Sequence, residues 1–371
     1  MSKIDPIPLF NLAPEIDSYE EEMLAGIRQV LRSHEFTLGS AVARFEGEFA
    51  AWLGVESAVA VNSGTDALLF ALKAAGIGPG DEVILPAFTF VATLEAVIHA
   101  GAKPVFADID PQTFTLDPND VAAQINERTG AIIAVHLYGQ GADLLPLRAA
   151  ADRHGLKLIE DVAQACGAHA HERALGTWGE AAAFSFYPTK NLGALGDAGM
   201  MVTNDPAIAE YARKLRNHGQ ISRGDHRLVG YNSRMDGIQG AVLSQRLRHL
   251  NEWNVKRADI AHAYGARLAD IEGLAPPVVR PGNSHVFQLY TVRVPAPRRQ
   301  AIQDSLREAG VETGIYYPTP LYRLPPYQAF QRPLPVTEAA AMEVLSLPMW
   351  PSMSPDAIDR VCDAVRKACR P

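Results

Sequence analysis

Residues 184–200 read FSFYPTKNLGALGDAGM, and the reading of this stretch decides the rest. Lys190 stands between three aromatic residues, Phe184, Phe186 and Tyr187, and three glycines, Gly193, Gly196 and Gly199. The aromatics argue for burial. The glycines argue for a backbone that turns sharply or approaches something closely. An ammonium group placed there is desolvated, which lowers its pKa, and a neutral amine can attack a carbonyl carbon. The plain alternative is a surface lysine in an ion pair. Lys3, Lys73, Lys103, Lys157, Lys214, Lys256 and Lys367 sit in polar or helical surroundings that suit that role; Lys190 alone does not.

Outward from this stretch, short apolar runs alternate with helical patterns. SAVAV (57–61) is followed by TDALLFALKAAG, and DEVILPAF (81–88) by TLEAVIHAG. KPVFADI (103–109), GAIIAVHL (130–137), LKLIEDV (156–162) and GMMVTND (199–205) continue the series. This is the pattern of an α/β fold with a mostly parallel sheet covered by helices. Ligands of such sheets bind at the carboxyl ends of the strands. That rule points to Asn62–Thr65, Pro86–Phe90, His136–Gln140 and Asp161–Gln164. Residues 238–270 carry helical periodicity and predict one long helix. Beyond about residue 250 the composition changes. HVFQLYTVRV (285–294) and TGIYYP (313–318) predict strands, SLREAG a helix, and 318–335 a proline-rich surface loop. The expected division is a large unit, 1–250, and a smaller C-terminal α+β unit, 251–371.

Composition narrows the function classes. The 371 residues carry 34 Lys and Arg against 42 Asp and Glu, a formal charge of −8, with no basic run. Nucleic acid and anionic membranes are not expected partners. The N-terminal MSKIDPIPLFNLAPEID breaks any signal-peptide core with Asp and Pro. No apolar run approaches the ~20 residues of a membrane span. Cys166, Cys362 and Cys369 form neither a disulfide framework nor a CxxC pair, which points to a reduced, cytoplasmic protein with packing cysteines. His169 and His171 lack a third ligand in a matching pattern, so no metal is expected. His136 ends a strand and is assigned to the core.

Two further segments carry chemistry. Ser63-Gly64-Thr65 lies between a strand and a helix, where unpaired N–H groups and the helix dipole favour an anion. The same residues also suit an ordinary N-cap. Asp161 ends a strand, and a carboxylate buried there needs a cation or donors. A protonated ring nitrogen is one such cation, and Gln164 could meet a ring oxygen. A capping Asp with a solvent-facing Gln is the alternative. An anion cradle, a carboxylate and a desolvated lysine, each placed after a strand, are together the parts that hold pyridoxal phosphate.

Six stretches, NSGTDALLFAL, PAFTFVAT, VHLYGQ, IEDVAQACGA, FSFYPTKNLGALGDAGM and GYNSRMDGIQGAVL, resemble in order the motifs of the DegT/DnrJ/EryC1/StrS family. The resemblance runs from near the N-terminus to the C-terminus. It implies a fold-type-I enzyme dependent on pyridoxal 5'-phosphate, most members being nucleotide-sugar aminotransferases. By matching motif, Lys190 is the Schiff-base lysine, Asp161 the partner of the pyridinium nitrogen, and Gln164 the donor to the ring oxygen. Ser63, Gly64, Thr65 and Ser185 hold the phosphate. Phe90 stacks on the ring, with Phe88 as the second choice. Members are homodimers with shared sites, so Asn232, and with it Arg234, are expected to reach the neighbouring subunit's phosphate region; Arg234 also suits a surface role.

The resemblance further implies L-glutamate as amino donor and a nucleotide-linked 3-keto sugar as acceptor. Tyr187 and the loop TGIYYPTPLY would face the sugar. Many 3-aminotransferases have histidine then tyrosine where this chain has Tyr316 and Tyr317. That departure leaves a 4-keto or non-sugar acceptor open. Both tyrosines equally suit a half-buried strand. A sugar 3-dehydratase of the same family would carry histidine in place of Lys190. A non-catalytic regulator on the same fold would have lost Lys190 or Asp161.

Overall fold

The computed structural model describes residues 5–370. Its centre is a seven-stranded sheet built from β1 (Ser57–Val61), β2 (Glu82–Pro86), β3 (Lys103–Ala107), β4 (Thr129–Val135), β5 (Lys157–Asp161), β6 (Ala181–Ser185) and β7 (Gly199–Thr203). The spatial order is β1-β7-β6-β5-β4-β2-β3. β7 is antiparallel to both neighbours, and the other strands share one direction. All five expected strands from 57 to 162, and the one at 199, form. They are near-continuous apolar runs because both faces are covered. Val59, Val61, Val83 and Leu85 pack into one apolar cluster, while Ala58, Ala60 and Ile84 pack into the other, the period-two alternation of a strand.

Helices α1 (Ala13–Ser33), α2 (Gly39–Leu53), α3 (Gly64–Ala74) and α4 (Val91–Ala100) belong to these layers. α3 buries Ala67 to Leu72 without interruption and sits under the sheet, directly behind the end of β1. The expected helix over 238–270 is two helices, Gly237–Leu247 and Leu250–Leu268. Arg248 and His249 donate to carbonyls three residues back, not four, which tightens and ends the first helix.

Two expected strands in the C-terminal part are corrected. Of 285–294 only Tyr290–Arg293 is a strand, paired with Val344–Leu347. The preceding residues spend their hydrogen bonds on the site instead: Val286 N–H reaches Gly139 O at 2.8 Å and Leu289 N–H reaches Tyr138 O at 3.2 Å. The segment 313–318 is not a strand and has a single bridge, Gly314 to Ser346. Pro318 and Pro320 lack the N–H groups a ladder needs. The stretch 318–335 is compact, with two 3-10 turns, Leu321–Arg323 and Pro325–Phe330.

We propose the unit boundary near residue 250. Leu250 packs with the sheet, whereas Ile260, Tyr264 and Leu268 of the same helix pack into a third cluster with Tyr290, Leu345 and Val361. Ile7 crosses from the start of the chain to join that third cluster and bridges to Val311.

Candidate active site

A cavity of about 660 Å³ opens at the carboxyl ends of β1, β2, β4, β5 and β6. Ser63, Gly64, Thr65, Phe90, Asp161, Gln164, Ser185, Tyr187, Lys190, Tyr316 and Tyr317 all line it. The carboxyl ends of five strands, lying between Val61 and Ser185, thus meet in one place, and Tyr316 and Tyr317 reach it from the C-terminal part of the chain.

The anion cradle is built by close approach. Ser63 caps α3, its Oγ accepting from Asp66 N–H at 3.2 Å. The N–H groups of Gly64 and Thr65 point from the first turn and find no acceptor among the described residues. A Cβ on Gly64 would lie 2.7 Å from Ser185 Cβ, and one on Gly199 would lie 2.3 Å from the Ser63 carbonyl. Glycine at both positions lets the ends of β6 and β7 close against the start of α3. A positive helix terminus with free donors, walled by two serines, suits a phosphate.

Asp161 is buried at the end of β5, 9% exposed. Its Oδ2 accepts from Thr93 Oγ1 at 2.8 Å and its Oδ1 from Ala163 N–H at 3.2 Å. No lysine or arginine among the described residues bonds it. Lys190 lines the same cavity, half-buried. Burial pushes its ammonium down to about 8, and the Asp161 charge acts in the opposite direction. The residue is thus close to half-neutral at a mildly alkaline pH, as a nucleophilic amine must be.

Gln164 is oriented by the turn after β4. Its Oε1 accepts from Tyr138 N–H at 2.7 Å, which leaves the amide NH₂ as the group turned to the cavity, where it donates to Tyr317 Oη at 3.2 Å. Tyr138 in turn donates its hydroxyl to Tyr316 O. Both Tyr316 and Tyr317 are half-buried, and burial pushes the Tyr317 phenol up. Phe90 is 55% exposed and lies 6.0 Å from the Tyr317 ring. Phe88 is 1% exposed and packs on Phe114 and Tyr138. The segment between them bends, so they do not share the face that an extended strand would give them. Phe90 is the ring available to a ligand.

Asn232 and Arg234 do not line this cavity. Arg234 Nε donates to Asn232 Oδ1 at 3.1 Å, and Asn232 bridges to Asn217. His136 is fully buried: Nδ1 accepts from Ala142 N–H at 3.1 Å, so Nε2 carries the proton and faces Glu160 at 3.1 Å. Burial pushes the Cys166 thiol up, which keeps it protonated and inert. Among the described residues no cluster of His, Cys, Asp or Glu could hold a metal ion.

Thr93, Asp197, Gln288 and Phe10 line the cavity without having been expected there, and Thr89, within the expected strand end Pro86–Phe90, lines it without an expected role. Thr89 and Thr93 lie within PAFTFVAT, four residues apart across the start of α4, and that spacing was the available signal. Nothing local marks Gln288 or Phe10.

The residues fit pyridoxal phosphate. Free donors stand where its phosphate would lie, a buried carboxylate without a cation faces the cavity, and a lysine of depressed pKa completes the set. The model of the DegT/DnrJ/EryC1/StrS aminotransferase family matches residues 17–366. A pleiotropic regulatory protein of Geobacillus stearothermophilus is 43% identical over 98% of this chain and 99% of its own. The dTDP-3-amino-3,4,6-trideoxy-alpha-D-glucose transaminase of Streptomyces venezuelae is 44% identical over 97% of this chain and 96% of its own. The UDP-N-acetyl-3-dehydro-alpha-D-glucosamine 3-aminotransferase of Acidithiobacillus ferrooxidans is 41% identical over 99% of both chains. Among solved structures, that of S. venezuelae DesV in complex with a ketimine intermediate superposes with a TM-score of 0.96 at 43% identity, covering 99% of each chain. That of Bacillus subtilis NtdA with bound cofactor PMP gives 0.93 at 33% identity, covering 99% of this chain and 86% of the other. With the family matched from Asp17 to Arg366 and relatives aligned end to end, the chain belongs to the DegT/DnrJ/EryC1/StrS aminotransferase family.

Proposed function

We propose that this chain is a pyridoxal-phosphate-dependent aminotransferase that moves an amino group from L-glutamate to the C3 keto group of a nucleotide-diphosphate-linked sugar. The observation that carries the reading is the pairing, in one cavity, of a lysine with a depressed pKa and a buried carboxylate that has no cation. The Streptomyces relative is named for a 3-amino sugar on dTDP and the Acidithiobacillus relative for 3-amino transfer to a 3-dehydro sugar on UDP. The acceptor class follows from these names; the nucleotide does not.

The residues divide the work. The Gly64 and Thr65 N–H groups, with Ser63 and Ser185, would bind the phosphate, and the exposed Phe90 ring would pack on the cofactor. When bound, the cofactor supplies an electron sink for the carbon bearing the amino group. Asp161 holds a proton on the ring nitrogen by its charge. The Gln164 amide donates to the ring oxygen. Lys190 Nζ would take a proton from the amino-bearing carbon as general base and hold it as the acid for reprotonation. Tyr187, Tyr316 and Tyr317 wall the space left for the sugar.

We further propose a homodimer with shared sites. Lys190 is the one lysine or arginine lining the cavity among the described residues, yet the substrates bring a diphosphate and carboxylates. Asn232 and Arg234 lie outside it, where they can serve a partner's cavity. We place the protein in the cytoplasm on the strength of three buried cysteines without disulfides; no helix among the described residues is long and apolar enough to cross a membrane.

The test is an absorption spectrum of the purified protein with pyridoxal phosphate, before and after L-glutamate. A visible band that glutamate moves to the near ultraviolet, followed by amino-sugar formation from a 3-keto nucleotide sugar, is the expected result. No band at all rejects the reading. A band that persists with glutamate, and no product from any keto-sugar, moves the protein to the regulatory role that the Geobacillus relative's name describes for that protein.

A further inference from the structure

We propose that Thr93, backed by Thr89, is a positioning residue for Asp161: its hydroxyl fixes the carboxylate in the orientation that meets a cationic ring nitrogen in the cavity. The inference rests on the cofactor reading above and assigns a role to two residues outside the expected set.

The main chain of Asp161 is fixed by the sheet, its carbonyl accepting from His136 N–H at 3.0 Å. Its side chain would still be free to rotate. Two neutral donors stop it: the Ala163 N–H on Oδ1 and the Thr93 hydroxyl on Oδ2 at 2.8 Å. A carboxylate only accepts, so Thr93 must donate. The Thr93 oxygen is then left as an acceptor, and Thr89 Oγ1, 3.1 Å away, must donate to it. The direction of the relay is therefore set: Thr89 to Thr93 to Asp161. Both threonines are nearly sealed, 2% and 1% exposed, so water does not compete for the hydroxyls. Hydrogen bonds to an ionised acceptor are about twice as strong as neutral ones.

The placement is economical. Thr89 and Thr93 flank Phe90, and Thr93 N–H caps back to Phe90 O at 3.2 Å. One turn at the start of α4 thus presents the stacking ring on one side and the carboxylate's donor on the other. A bare aliphatic at 93 would fill the same space and leave Oδ2 without a partner.

The test compares pyridoxal phosphate with its 1-deaza analogue, which has carbon in place of the ring nitrogen and so nothing for Asp161 to meet. Dissociation constants are measured for the full-length wild type, Thr93→Val and Thr93→Ser, with thermal unfolding as a check on folding. Thr93→Val is expected to weaken pyridoxal phosphate by about tenfold and to leave the deaza analogue unchanged, and Thr93→Ser to restore wild-type behaviour. Equal weakening of both compounds, or of neither, overturns the inference while the cofactor reading stands. A wild type that binds neither compound overturns both.

Discussion

Two buried carboxylates at opposite ends of the same sheet have opposite fates. Glu82 opens β2 and is 3% exposed. Lys103 Nζ at 3.0 Å, Arg128 Nε at 3.0 Å and Asn126 Nδ2 at 2.8 Å share its two oxygens. The Asn126 bond and then the two cations outweigh burial and hold it below the usual carboxylate range. Asp161 closes β5 and has a hydroxyl and one backbone N–H, with no cation in contact. Glu82 is electrostatically complete without any ligand. Asp161 feels the Lys190 charge but has no cation bonded to it, and its oxygens stay open to one that enters the cavity. A carboxylate closed by its own chain holds structure, and one left open marks where chemistry is done.

The sharpest way to break this contrast is to remove the open end's partner. Lys190→Ala is expected to lower aminotransferase turnover by at least about 1,000-fold, measured as amino-sugar formation at saturating cofactor. Glu82→Gln should leave turnover within about twofold and show its cost in the denaturant midpoint. Comparable losses in the two variants would erase the distinction. Next in size is Asp161→Asn, expected to cut kcat by roughly 100-fold with little change in unfolding temperature, the reverse of the Glu82→Gln pattern.

Stability against pH sharpens the comparison further, because the two ends titrate with different consequences. Lys190 has a folded value near 8 against an ordinary 10.5, so between those values the unfolded chain holds the extra proton. Stability therefore rises with pH across that window and is lost as pH falls through 8. In the cofactor-free chain Lys190→Met should stabilise by about 2 kcal/mol at neutral pH and by far less near pH 10.5. Glu82 lies below its ordinary 4.5, so its contribution is present above that value and fades as pH falls through the lowered one. Glu82→Gln should flatten only the acid limb. Urea titrations of both variants over pH 3–11 would show this, and parallel curves would contradict it. Smallest is Gly64→Ala, whose Cβ would crowd Ser185. It should weaken pyridoxal phosphate by roughly tenfold in equilibrium dialysis without altering the response of the remaining bound fraction to glutamate.

The open end of the sheet was largely legible in the sequence. Asp161 and Ser185 end strands, Ser63–Thr65, Gln164 and Lys190 follow them, and a parallel sheet brings such positions to one edge. Their roles depend on local order along the chain. What stayed illegible depends on contacts between distant segments. Thr93 meets Asp161 from 68 residues away, and its spacing from Thr89 does not name that partner. Phe88 and Phe90 look alike in PAFTFVAT until the bend after β2 separates core from cavity. The strand expected over 285–294 starts only at Tyr290 because the main chain before it bonds to the turn after β4, and the one expected at 313–318 fails where Pro318 and Pro320 lack N–H groups and Tyr138 donates its hydroxyl to Tyr316 O. Tertiary demand overrode local preference where the cavity had to be closed.

The most direct test of the central claim is chemical. The protein is incubated with pyridoxal phosphate, reduced with borohydride, digested, and its peptides mapped by mass spectrometry. The account predicts one modified site, Lys190, in the peptide containing FSFYPTKNLG, and its loss when glutamate is added before reduction. Modification spread over surface lysines such as Lys73 and Lys256, with Lys190 untouched, would contradict it.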